Sequence, residues 1–74
     1  MKIEVRLFAY FRSGREKKQF MHLEEGAIAS EVLDKLNIEE KEVSIFLING
    51  RDGNADRILS EGDVLALFPP VGGG

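Results

Sequence analysis

The sequence predicts an α+β fold, one mixed sheet with a single helix packed across one face and an extended tail at the C-terminus. Three observations carry this. Alternating apolar residues open and close the chain, one amphipathic segment lies between them, and glycine-bearing polar turns separate the short apolar runs. With 74 residues there is room for one small domain, here residues 1–68, followed by a Gly-rich tail over 69–74.

The elements follow in order. Ile3, Val5, Leu7 and Ala9 share one parity while Lys2, Glu4 and Arg6 take the other, the period of a half-buried strand. Ser13 to Lys17 is polar, contains Gly14, and reads as a hairpin turn into a second strand over 18–24. That strand turns Met21 and Leu23 inward and puts Phe20 on the opposite parity. After the Glu24-Glu25-Gly26 break, Ile28, Val32 and Leu36 recur every fourth residue with Ala29 and Leu33 beside them, a helix stopped at Asn37. Val43, Ile45 and Leu47 mark a third strand, with Phe46 and Ile48 on its other face. Asn49-Gly50 is the strongest short turn signal in the chain. Arg51 to Asp56 holds only a short strand or loop, Ile58 and Leu59 pack, and Val64 to Phe68 forms the last strand. Pro69-Pro70 then stops the sheet. Two hairpin-like ends separated by one helix place the first and last strands side by side and parallel in the middle. That is the β-grasp, or ubiquitin-like, arrangement.

Composition narrows the chemistry. The chain has no cysteine and one histidine, which leaves no thiolate nucleophile, disulfide, zinc-thiolate centre or multi-histidine metal site. No metal site is expected. Ten Lys and Arg against 13 Asp and Glu give a net charge of −3, without the concentrated cationic surface a nucleic-acid partner requires. Glu4 and Arg6 interrupt the first apolar run, so neither a signal peptide nor a membrane span is expected, and a soluble cytoplasmic protein is. His22 stands alone on a strand and receives no role. Gly50, Gly53 and Gly62 are turn glycines unlike a phosphate-binding loop, so ATP would belong to a partner. The pairs Glu24-Glu25 and Glu39-Glu40 read as solvated turns.

The candidate site is the end of the chain, Pro69-Pro70-Val71-Gly72-Gly73-Gly74. No charged side chain occurs from Val64 onward, so the terminal carboxylate is the only ion there. Two prolines favour an extended exit, and three glycines present no side chains to a narrow channel. Six residues reach at most roughly 20 Å, far enough to enter another protein's active site. Parity adds a second feature. With Ile3, Val5 and Leu7 facing the helix, Phe8 faces away. With Leu65 and Leu67 inward, Phe68 is outward. Phe8 and Phe68 therefore meet near the root of the tail, and with Leu59 they would form a contact patch.

The run Leu65 to Gly74, preceded by Glu61-Gly62-Asp63, closely resembles the C-terminus of the small subunit of molybdopterin synthase. Leu7-Phe8-Ala9 with Arg12 and Gly14, and the segment Ile28 to Ile38, resemble the same family, so the likeness covers essentially the whole chain. Gly72 stands where that family more often has Ala or Ser. The resemblance implies a non-enzymatic sulfur carrier that binds no cofactor itself. Its Gly74 carboxylate is adenylated with ATP by a ubiquitin-activating-type adenylyltransferase and converted to a thiocarboxylate. The molybdopterin synthase large subunit then takes that sulfur for the dithiolene of molybdopterin. On the same resemblance Gly72 and Gly73 give access to the activating site, while Phe8, Leu59, Phe68, Pro69, Pro70 and Val71 contact partners. Carriers for thiamine or a tungsten-pterin pathway remain as alternatives, as does a ubiquitin-like protein modifier.

Overall fold

The computed structural model describes residues 1–70, so Val71, Gly72, Gly73 and Gly74 lie outside the described residues. The strands are β1 (Lys2–Leu7), β2 (Lys18–His22), β3 (Ile45–Ile48), β4 (Arg51–Asp52) and β5 (Val64–Phe68), with one helix, α1 (Ala29–Leu36). They form a five-stranded sheet in the order β2-β1-β5-β3-β4. β1 and β5 are parallel at its centre, and the β1–β2, β3–β5 and β3–β4 pairs are antiparallel. This is the mixed β-grasp sheet that the sequence predicts.

The inner face follows the alternation of β1 and β5. Ile3, Val5, Leu7, Leu65 and Leu67 are all buried and pack with Ala29, Val32, Leu33 and Leu36 of the helix. The helix starts after Ile28, whose N–H donates to the Glu31 carboxylate at 3.0 Å and satisfies one of the first-turn donors. It stops where expected. Asn37 adopts a left-handed backbone with φ 59°, and the Ile38 N–H returns to the Leu33 carbonyl at 3.0 Å.

Four local expectations are corrected. Ala9 does not continue the inward row, because the chain leaves β1 at Leu7 and makes a short 3-10 turn over Ala9–Arg12, with Ala9 at φ 52°. That turn buries Phe11 beneath the sheet's end, so the β1–β2 connection is longer than the Ser13–Lys17 turn. β2 ends at His22, with Leu23 buried just beyond it. In β3, whose two faces the sequence separates without assigning the core side, the core side is Phe46 and Ile48, since the register pairs Phe46 with Leu67 and Ile48 with Leu65. Finally, Ile58 is exposed, and only its neighbour Leu59 enters the core.

The far end of β5 is fastened by a polar clasp. Asn49 and Gly50 both have positive φ, at 54° and 79°, as a two-residue hairpin turn between β3 and β4 requires. The Asn49 amide donates to Asp63 Oδ1 at 2.8 Å, and Asp63 Oδ2 accepts from the Ser60 N–H at 2.8 Å. Asn49 Oδ1 in turn accepts from the Val64 N–H at 2.9 Å. Asp63 is the buried charged residue of the described chain, and both its oxygens are satisfied.

Candidate functional site at the root of the tail

β5 carries the chain outward at the centre of the sheet, so its last residues are held from both sides. The Leu67 carbonyl accepts from the Phe8 N–H at 3.2 Å, and the Phe68 carbonyl accepts from the Ser44 N–H at 2.8 Å. Just beyond the 1–68 boundary, Pro69 is buried and Pro70 exposed.

Phe8 and Phe68 meet as their parity predicts. Their rings stack with centroids 4.1 Å apart and planes 10° from parallel, on the sheet face opposite the helix. Each stays only half-buried, so the pair offers a flat apolar surface to solvent. Ile45 lies opposite Phe68 and is 49% exposed, while Leu47 lies opposite Ala66, both half-buried. These five residues make one apolar strip that reaches the start of the tail.

Leu59 is not part of it. At 3% exposure it belongs to the core and cannot contribute a contact at this surface. Pro69, being buried, can contribute little side-chain surface, whereas Pro70 is free to. Ile45 and Leu47 are the members that sequence reasoning missed. Every residue of β3 is apolar, so alternation is silent there, and the signal that could have found them was pairing with β5.

Arg12 lies against this strip. Its Nε donates to the Leu7 carbonyl at 2.7 Å, and its guanidinium carbon is 5.1 Å from the centre of the Phe8 ring. Arg6, on the same face, is engaged by the Glu4 carboxylate. Among the described residues no group of three or more His, Asp or Glu could hold a metal ion, and no helix is long and apolar enough to cross a membrane. His22, Glu24, Glu25, Glu39 and Glu40 are all exposed. The described site therefore has a fixed root and a half-exposed apolar strip beside it, and among the described residues no side chains arranged for acid–base or nucleophilic work.

The fold is shared with solved proteins. The crystal structure of SAMP1 from Haloferax volcanii matches with a TM-score of 0.81 and 27% identity, over 100% of both chains. A crystal structure of H. volcanii small archaeal modifier protein 1 matches with a TM-score of 0.75 and 27% identity, over 95% of this chain and 98% of that one. The protein–protein complex of subunits 1 and 2 of molybdopterin-converting factor from Helicobacter pylori contains a chain 28% identical, with a TM-score of 0.66 and full coverage of both. No curated protein matches the sequence closely enough to count as a relative. The ThiS family matches residues 5–74, nearly the whole chain and all of its tail, and this protein belongs to that family of ubiquitin-like sulfur carriers.

Proposed function

We propose that this chain carries sulfur on Gly74 for molybdopterin biosynthesis. The observation that supports it best is the Phe8–Phe68 stack at the root of a charge-free tail ending in three glycines. The stack is a surface for partners to grip, and the tail is thin enough to enter them. In the chemistry proposed, the terminal carboxylate attacks the α-phosphorus of ATP in the adenylyltransferase, and pyrophosphate leaves. A sulfide-level nucleophile then attacks the acyl carbon, AMP departs with the former carboxylate oxygen, and a thiocarboxylate remains. The synthase large subunit receives that sulfur. This chain contributes position and the acyl carbon that sulfur attacks, and its partners contribute catalytic side chains and nucleotide. The Helicobacter complex supports a large-subunit partner of this kind.

The experiment combines the chain with its activating enzyme, ATP and a sulfide source, and reads intact mass. Replacement of one oxygen by sulfur is expected in the full chain and absent from a chain lacking Gly74, with equal thermal midpoints. Shortening by one residue withdraws the carboxylate by about 3.3–3.6 Å, far beyond the roughly 0.5 Å tolerance of a catalytic geometry. Normal thiolation without Gly74 would overturn the assignment.

A second reading is favoured by the likeness to small archaeal modifier protein 1. The same acyl adenylate could pass to a lysine and give an isopeptide. A ladder of lysine conjugates in cell extract, dependent on Gly74, would support a modifier. A neighbouring thiazole synthase gene in place of a synthase large subunit would redirect the sulfur to thiamine.

A further inference from the structure

Three arginines lie around the β1–β2 connection, and their donors are spent differently. Arg15 directs Nε to the Leu36 carbonyl at 3.0 Å and Nη1 to the Phe11 carbonyl at 3.2 Å, which ties the connection to the C-terminal end of the helix. Arg6 is paired with Glu4. Arg12 commits only Nε, to the Leu7 carbonyl, and rests its guanidinium on Phe8. Among the described residues, neither of its Nη groups has a hydrogen-bond or ion-pair partner. The plane of the fork is thus fixed by one hydrogen bond and one ring, while its two parallel donors remain available.

Resting on the sulfur-carrier reading above, we propose that Arg12 determines the orientation of docking by giving its Nη fork to a carboxylate side chain of the activating enzyme. An apolar strip attracts without direction, and the strip of Phe8, Phe68, Ile45, Leu47 and Ala66 would accept a partner in more than one rotation. A planar guanidinium held in place matches a carboxylate through two parallel hydrogen bonds and so selects one. Charge favours the same pairing. The chain carries −3 overall, so an acidic partner surface is repelled elsewhere and drawn to the cation beside the strip.

The anion is not the nucleotide. Arg12 touches the ring stacked on Phe68, immediately before the tail. On the carrier reading the terminal carboxylate must reach ATP in the enzyme, and six residues drawn out fully span at most roughly 20 Å. With the tail drawn out inside the enzyme, a group at its root is too far from its tip to serve the phosphates, so on this proposal the carboxylate belongs to the rim of the enzyme's channel.

The test uses the full chain and three variants, Arg12→Lys, Arg12→Gln and Arg12→Glu, with the activating enzyme and saturating ATP. Pyrophosphate release is followed against carrier concentration at low and moderate salt, and melts are run alongside. The KM for carrier is expected to rise about tenfold in Arg12→Gln and about 100-fold in Arg12→Glu, with Arg12→Lys between wild type and Arg12→Gln. The kcat at saturating carrier and the KM for ATP stay unchanged, and the salt dependence of the carrier KM weakens in Arg12→Gln. A wild-type carrier KM in Arg12→Glu overturns the proposal. So does a rise in the ATP KM, which would make the nucleotide the ligand. Faster turnover in the variants would mean that Arg12 restrains the chain's own carboxylate and would overturn it too. Carrier KM values that merely follow the thermal midpoints would reduce Arg12 to a pin for the loop. Failure of the wild type to release pyrophosphate is a different result, and it would remove the carrier reading itself.

Discussion

Leu7 and Phe8 are adjacent in sequence and opposite in consequence, which makes truncating each of them a sharp test of the sheet's two faces. Leu7 has no exposed surface and packs among Val5, Leu67 and the helix. Its replacement by Ala leaves a cavity and should cost about 2–5 kcal/mol. A domain of this size has roughly 4–11 kcal/mol of stability at about 0.05–0.15 kcal/mol per residue. Leu7→Ala therefore removes a large share of it, and the thermal midpoint should fall by about 4–8 °C for each kcal/mol. Phe8 is half-buried and stacks on Phe68 at 4.1 Å. Losing that stack should cost only about 0.5–1.5 kcal/mol beyond the modest area involved.

At the partner the order reverses. On the proposed docking, Phe8 exchanges its remaining solvent for partner contact, and a central aromatic anchor is typically worth at least about 2 kcal/mol, or about 30-fold in affinity. The assay pairs melts with thiocarboxylate formation at sub-saturating carrier, well below every variant's midpoint. Phe8→Ala should stay folded and thiolate poorly, and Leu7→Ala should thiolate normally while it remains folded. Phe68→Ala with Phe8→Ala should show a coupling of about 0.5–1.5 kcal/mol in the melts. If Phe8→Ala costs as much stability as Leu7→Ala, or thiolates like wild type, the outer face is not a docking surface and the reasoning fails.

Two further predictions concern what holds the root in place. Asp63→Ala strands the Ser60 N–H and the Asn49 amide and should lower stability by about 1–3 kcal/mol, read in urea or thermal melts, while Asp63→Asn recovers part of it. Arg15→Met keeps the apolar stem but leaves the Leu36 and Phe11 carbonyls without their charged donor. It should cost about 1–3 kcal/mol and speed amide exchange in the last turn of α1; unchanged exchange there would show that the helix end does not depend on Arg15.

What could be read from the sequence was whatever alternates or punctuates. β1 alternates charged residues with apolar ones, and in β5 the small Ala66 separates Leu65 from Leu67, so their faces, their pairing and the meeting of Phe8 with Phe68 were legible. Asn37 and Asn49-Gly50 gave the helix stop and the hairpin because left-handed backbone favours those residues. β3 was not legible, since Ile45, Phe46, Leu47 and Ile48 offer no contrast and only the partner strand decides which pair is inward. Leu59 and Ile58 lie outside regular structure, where a single bridge between Ile28 and Ile58 replaces any period, so the sequence packed both although only Leu59 is buried. The fixed fork of Arg12 depends on a 3-10 turn that breaks the strand's alternation at Ala9, a tertiary outcome with no periodic signature.

The clasp at one end of β5 bears on the chemistry proposed at the other. Folding and docking are separated by parity alone: Leu65 and Leu67 are fully buried, while Ala66 and Phe68 between and after them face outward. A slip of one residue would exchange the two sets and place Phe68 in the core. It would also shift every residue beyond by about 3.3–3.6 Å, the same displacement as deleting Gly74. Register is therefore a length standard for the tail. It is set where Asn49, Asp63, Ser60 and Val64 interlock at the start of β5, and again where Phe8 and Ser44 bind the carbonyls of Leu67 and Phe68. Each of these contacts is made by residues that precede the tail in the chain, yet on the carrier reading they fix where the Gly74 carboxylate comes to rest inside a partner.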